Sequence, residues 1–125
     1  MIAKKLNDIL KMETANDVDV RNLYDSKEAL INVITLKAGE ALKPHITPEN
    51  VVFYVLKGTG IIEIGDERQE ASADTVIESP KNIKHCWYNE SNDIVQVMVI
   101  KVPKPTSKSI SDLFVPSILI SLDKY

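Results

Sequence analysis

The chain has 125 residues, a net charge of −3, 44% hydrophobic and 26% charged residues. One domain of that length buries a sizeable core. Its acids and bases are mixed without a basic stripe, which argues against a nucleic-acid partner, and no apolar run reaches the length of a membrane span.

The single cysteine, Cys86, excludes an internal disulfide and fits a reducing compartment. The N-terminus lacks the apolar core of a leader. A cytoplasmic protein is therefore the expectation.

Residues 2–13 (IAKKLNDILKME) set Ile2, Leu6, Ile9 and Leu10 at helical spacing opposite lysines. That spacing predicts a short amphipathic helix on the outside of the body. Val18–Tyr24 alternates as an edge strand, and Asp25–Glu28 is a turn. Ala29–Lys37 is a strand with apolar residues on both faces, as in a strand covered on both sides by the core and by a partner or terminal segment.

Val51–Leu56 (VVFYVL) is the most concentrated strand signal, closed by Lys57-Gly58-Thr59-Gly60. Ile61–Ile64 pairs with Arg68–Ala71 across Gly65-Asp66-Glu67. Further strands follow at Asp74–Glu78, His85–Asn89 and Ile94–Val102, with Ser79–Asn82 as a loop. Many short strands at regular spacing predict an all-β sandwich or barrel, closed as a jelly roll. From Pro103 the chain reads as a linker, then turns apolar around Phe114-Val115 and Ile118–Ile120. The expected organisation is an arm over 1–17, a β-barrel over 18–102 and a C-terminal extension over 103–125. The extension would add an edge strand or dock on a neighbour.

Two stretches carry the chemistry. The first runs from Gly39 through His45 to Gly58, with Thr47 and Val51 between; the second holds Pro80, His85 and Asn89. Their spacing resembles the two motifs of the cupin family. Gly39, His45, Gly58, Pro80, His85 and Asn89 fall on the family pattern. Thr47 stands where the pattern has a second histidine, and Val51 where it has a glutamate. Asp74 and Asn82 replace two of its glycines, and these are the residue types that best tolerate left-handed backbone.

The resemblance implies a double-stranded β-helix, a homodimer, and an interior site. In metal-binding members three histidines and a glutamate meet inside the barrel. Here only His45 and His85 remain as candidate ligands for a divalent transition metal. Thr47 is a poor donor beside imidazole or carboxylate, and Val51 offers no donor atom. The expected site is therefore a ligand pocket walled by His45, Thr47, Val51, Phe53, His85 and Trp87, binding a small organic molecule, with no cofactor required. Two alternatives remain open: a metal-dependent oxygenase or isomerase using His45 and His85, and an interaction module whose barrel is filled by side chains. Glu49 shares the parity of His45, but its direction after Pro48 cannot be read from sequence. Cys86, Tyr54 and Tyr88 have the opposite parity to the histidines on their strands. Ser72, Ser79 and Ser91 read as loop serines, and Glu63, Glu67, Glu70 and Glu78 as solvated positions.

Overall fold

A computed structural model of the chain describes residues 1–14 and 17–104. Eight strands run in order: β1 (Asp19–Asp25), β2 (Leu30–Leu36), β3 (Val51–Lys57), β4 (Thr59–Ile64), β5 (Glu67–Ser72), β6 (Val76–Ser79), β7 (His85–Tyr88) and β8 (Val95–Lys101). They form a five-stranded sheet, β1-β2-β8-β3-β6, and a three-stranded sheet, β5-β4-β7. Every pairing is antiparallel. The expected all-β jelly roll is what the chain adopts, and β1 lies at a sheet edge as its weak alternation suggested.

Side-chain alternation builds the core between the sheets. Val51, Phe53 and Val55 of β3 and Val95, Val97 and Val99 of β8 face inward, meeting Ile62, Ala71 and Trp87 from the smaller sheet. Each such buried aliphatic side chain contributes about 1.5–3 kcal/mol of hydrophobic stabilisation. The two residues that stand in for pattern glycines, Asp74 and Asn82, adopt left-handed backbone at φ 69° and 63°. The substitutions therefore keep the turns that glycine would make.

The N-terminal helix does not form. Residues 2–13 hold only one 3-10 turn, Leu6–Asp8, with extended backbone at Lys5 and Ile9 and no side-chain cap. An isolated helix of this length is marginal in water, and tertiary partners take its backbone groups. Arg21 donates from Nη1 to the carbonyls of Leu6 and Ile9, each at 3.1 Å. The Met12 N–H donates to the Val20 carbonyl at 2.7 Å. The segment is thus an arm bound across β1. Arg21 pairs with Val33 in the β1–β2 ladder, so the arm covers part of the outer face of the larger sheet.

The apolar run expected to dock after Pro103 lies outside the described residues. The last described residue, Lys104, is tied to the β1–β2 turn through its N–H to the Glu28 carbonyl and its ammonium to Asp25. Among the described residues no helix is long and apolar enough to cross a membrane.

Candidate functional site

The two histidines are brought together by backbone pairing on both edges of β7. One edge pairs with β4, Ile64 opposite His85 and Ile62 opposite Trp87. The other receives the irregular segment 39–45. Gly39 N–H donates to the Asn89 carbonyl and Leu42 N–H to the Trp87 carbonyl, each at 2.9 Å. His45 and His85 then exchange backbone hydrogen bonds, both 3.1 Å long. Asn89 fixes the far end of this arrangement. Its amide donates to the carbonyls of Leu36 (3.0 Å) and Asp93 (2.7 Å), while its oxygen accepts from the Ser91 N–H and hydroxyl.

The imidazoles meet inside the barrel, Nε2 to Nε2 at 3.3 Å, with their planes 78° apart. The surrounding partners set the tautomers. His45 Nδ1 faces the Lys43 carbonyl at 3.4 Å, and a carbonyl only accepts, so Nδ1 carries the proton on the neutral ring. His45 Nε2 is then the acceptor, and His85 Nε2–H donates to it. His85 Nδ1 is left to accept from the Ser79 hydroxyl at 3.0 Å. One directed chain runs from Ser79 through His85 and His45 to Lys43.

Both rings are held neutral. Burial, then the nearby Lys101 ammonium, lowers His45 from 6.5 to about 4. Burial, then His45, then Lys101 lowers His85 from 6.5 to about 3.

The structure places all six expected site residues inward and buried: His45, Thr47, Val51, Phe53, His85 and Trp87. Phe53 stands edge-on to both His85 and Trp87, with ring centres 5.2 and 5.6 Å apart. The Trp87 indole N–H is buried without an acceptor among the described residues. Cys86 and Tyr88 face the other way, as their parity required. There the Cys86 thiol lies 3.2 Å from the Tyr88 hydroxyl and 3.5 Å from Glu63, so Glu63 is a member of this outer cluster rather than a solvated hairpin residue.

Two interior residues escaped the sequence reading. Ser79, read as a loop serine, ends β6 with 1% of its surface exposed and binds His85. Lys101 ends β8, also 1% exposed, directly across from Val51 in the β3–β8 ladder. The signal for Lys101 was present, because it has the same parity as Val95, Val97 and Val99. The usual surface preference of lysine masked it.

Whether these residues fit a metal ion can be judged from the donors. Two ligands on a tetrahedral ion at about 2.0–2.1 Å would lie about 3.3 Å apart, and the two Nε2 atoms have that separation. The remaining donors do not follow. The Thr47 hydroxyl donates to the Glu49 carbonyl at 3.0 Å. Val51 has no donor, and Lys101 brings a positive charge to the same interior. Among the described residues no three His, Cys, Asp or Glu side chains are grouped to hold an ion. A divalent metal does not fit this donor set.

Comparison with known proteins gives the chain its relatives. The family model for the cupin domain matches residues 32–101. An uncharacterised protein of Methanocaldococcus jannaschii is 28% identical over 87 residues, covering 69% of this chain and 75% of the relative. A solved cupin of that organism, with a double-stranded β-helix fold, superposes with a TM-score of 0.67 at 25% identity over 82% of this chain and 93% of its own. A Thermotoga maritima protein described as a predicted oxalate decarboxylase superposes with a TM-score of 0.75 at 16% identity, over 82% of this chain and 100% of its own.

Proposed function

The chain belongs to the cupin family, and from that premise we propose that it is a small barrel protein that holds a small organic molecule in its interior and has lost the family's metal site. One observation carries the reading. A largely apolar interior ends in a polar cluster of His45, His85, Ser79 and Lys101, all buried, with Asn32 and Thr47 also buried and polar. Pockets for small molecules have this form, an apolar wall with a few convergent polar groups. Phe53 and Val51 supply the wall. The unpaired Trp87 N–H adds a donor that an oxygen-bearing ligand would satisfy, since a buried donor left unpaired costs about 1–3 kcal/mol.

The fit of the donors disfavours the metal-dependent enzyme. The Thermotoga maritima neighbour suggests decarboxylation of a small acid as its chemistry, but two imidazoles beside an ammonium make a poor divalent site. A homodimer belongs to the same proposal. Apolar Ile31, Val52, Met98 and Ile100 lie on the outer face of the larger sheet, only partly buried, and light scattering should give twice the chain mass.

The test is a ligand-observed NMR screen of small alcohols, amides and carboxylic acids, followed by calorimetry. Binding should weaken in both His45→Ala and His85→Ala. If no compound binds, or if binding ignores both changes, the barrel is filled by its own side chains and the chain is an interaction module.

A further inference from the structure

We infer that the Glu49 carboxylate and the Lys101 ammonium form an ion pair inside the barrel, and that this pair balances the interior charge in place of a bound metal ion. The inference goes beyond the ligand-binding reading and does not rest on it.

Burial poses the problem. Lys101 is 1% exposed, and a buried charge is either paired or shifts to its neutral form. Neither Lys101 nor Glu49 is without an interaction partner. The histidines do not supply the countercharge. Each of their ring nitrogens is already engaged, and the ammonium opposes their protonation. Asn32, buried on β2 opposite Val99, offers only a neutral amide. Glu63 is paired with Arg68 on the outer face of the smaller sheet, and Glu78 lies across from Val52 on the outer face of the larger one. Glu49 is different. The residue is half-buried, and its Oε2 is sealed from solvent.

Position brings the two together. Lys101 lies directly across from Val51, and Glu49 precedes Val51 by two residues, sharing the parity of Val51 and Thr47. A diagonal neighbour at that offset lies about 7–8 Å away, within reach of long side chains. The backbone on either side of Glu49 is fastened to the loop after β6. The Asn82 N–H donates to the Thr47 carbonyl at 2.8 Å, and the Lys81 N–H donates to Asn50 Oδ1 at 2.9 Å. The Thr47 hydroxyl donates to the Glu49 carbonyl at 3.0 Å, which fixes the bend over Pro48 and Glu49. The family pattern places a glutamate at position 51. This chain has valine there and a carboxylate two residues earlier, committed to an internal ammonium rather than to a metal. The histidines are then left as two donors without a third.

The experiment is urea denaturation at pH 7, without added ligand or metal. The proteins are the unmodified chain, Glu49→Gln, Lys101→Met and the double variant. Removing one partner strands the other, so each single change should lower the folding equilibrium constant by about a hundredfold or more. The double change should lower it no further than either single change. If the two single effects multiply in the double variant, the residues act independently and the pair is overturned. Carbon NMR of the lysine Cε in Glu49→Gln gives a second readout, one that lost packing would not move. It serves alone should Lys101→Met fail to fold. Without the carboxylate, Lys101 should titrate below its value in the unmodified chain, and an unchanged titration would overturn the pair. Neither result depends on whether the interior binds a small molecule, which the ligand screen decides separately.

Discussion

His45 and His85, 40 positions apart, are joined twice: their backbones exchange two hydrogen bonds of 3.1 Å, and their side chains meet Nε2 to Nε2 at 3.3 Å. The backbone pair fixes where the rings start, and the flanking acceptor and donor at Lys43 and Ser79 fix which nitrogen holds each proton. The contact is therefore directional: His45 must be neutral to accept, and burial keeps both rings neutral.

That requirement predicts a pH dependence. Both histidines titrate lower when folded, at about 4 and about 3, than their ordinary 6.5. The unfolded chain takes up their protons first as pH falls. Their contribution is complete above about pH 6.5 and is lost from there down toward the folded values. By pH 5 the loss is on the order of 2 kcal/mol for each ring. Urea denaturation between pH 7 and 5 should show it. The double change His45→Gln and His85→Gln should flatten that slope, and an equal slope in the variant would place the dependence elsewhere.

Ser79→Ala removes the hydroxyl that donates to His85 Nδ1. The expected loss is about 1–3 kcal/mol of stability, the cost of leaving a buried acceptor unpaired. The readout that separates this from general packing loss is nitrogen NMR of the imidazoles. The unmodified protein should show His85 protonated on Nε2 and His45 on Nδ1. Ser79→Ala should disturb the His85 tautomer before that of His45.

Metal binding should recover further when the Lys101 charge is removed. Thr47→His with Val51→Glu restores the donors the resemblance calls for, but Lys101 remains across from position 51. Cobalt titration should give affinity at least about tenfold higher once Lys101→Met is added, the scale on which groups around a metal site act. Equal affinity with and without Lys101 would show that its charge does not reach the ion.

Gly58 is fixed by two constraints. Its φ is +79°, and a Cβ there would lie 2.2 Å from the Ile94 carbonyl oxygen. Left-handed backbone costs about 1–2 kcal/mol for a side-chain-bearing residue, and the clash is with backbone that cannot step aside. Gly58→Ala should destabilise by more than about 3 kcal/mol, seen as a large fall in melting temperature.

Arg21→Ala should release the arm without touching the core. Arg21 holds the carbonyls of Leu6 and Ile9 and also bonds Asp19. Amide exchange over residues 5–10 should accelerate, while β3 and β8 keep their protection. Arg21→Lys should not restore the arm, because an ammonium lacks the planar fork that reaches two carbonyls and a carboxylate together.

Much of this protein is local, and what is local was legible. A period of two sets Val51, Phe53 and Val55 on one face of their strand and His85 and Trp87 on one face of theirs, and the family resemblance implied that those faces point inward. Asp74 and Asn82 announced left-handed turns because their side chains tolerate that backbone. What depends on register between distant segments was not legible. Lys101 shares the parity of three buried valines, yet only its place across from Val51 and near two imidazoles shows that its charge lies inside. Ser79 looked like a loop residue until β6 paired with β3 and carried its hydroxyl to His85. The arm had a helix's spacing, but Arg21 and Val20 claimed its backbone groups. Sequence determines which face a residue takes within its strand; only the closed barrel decides which charges and donors must share the space behind that face.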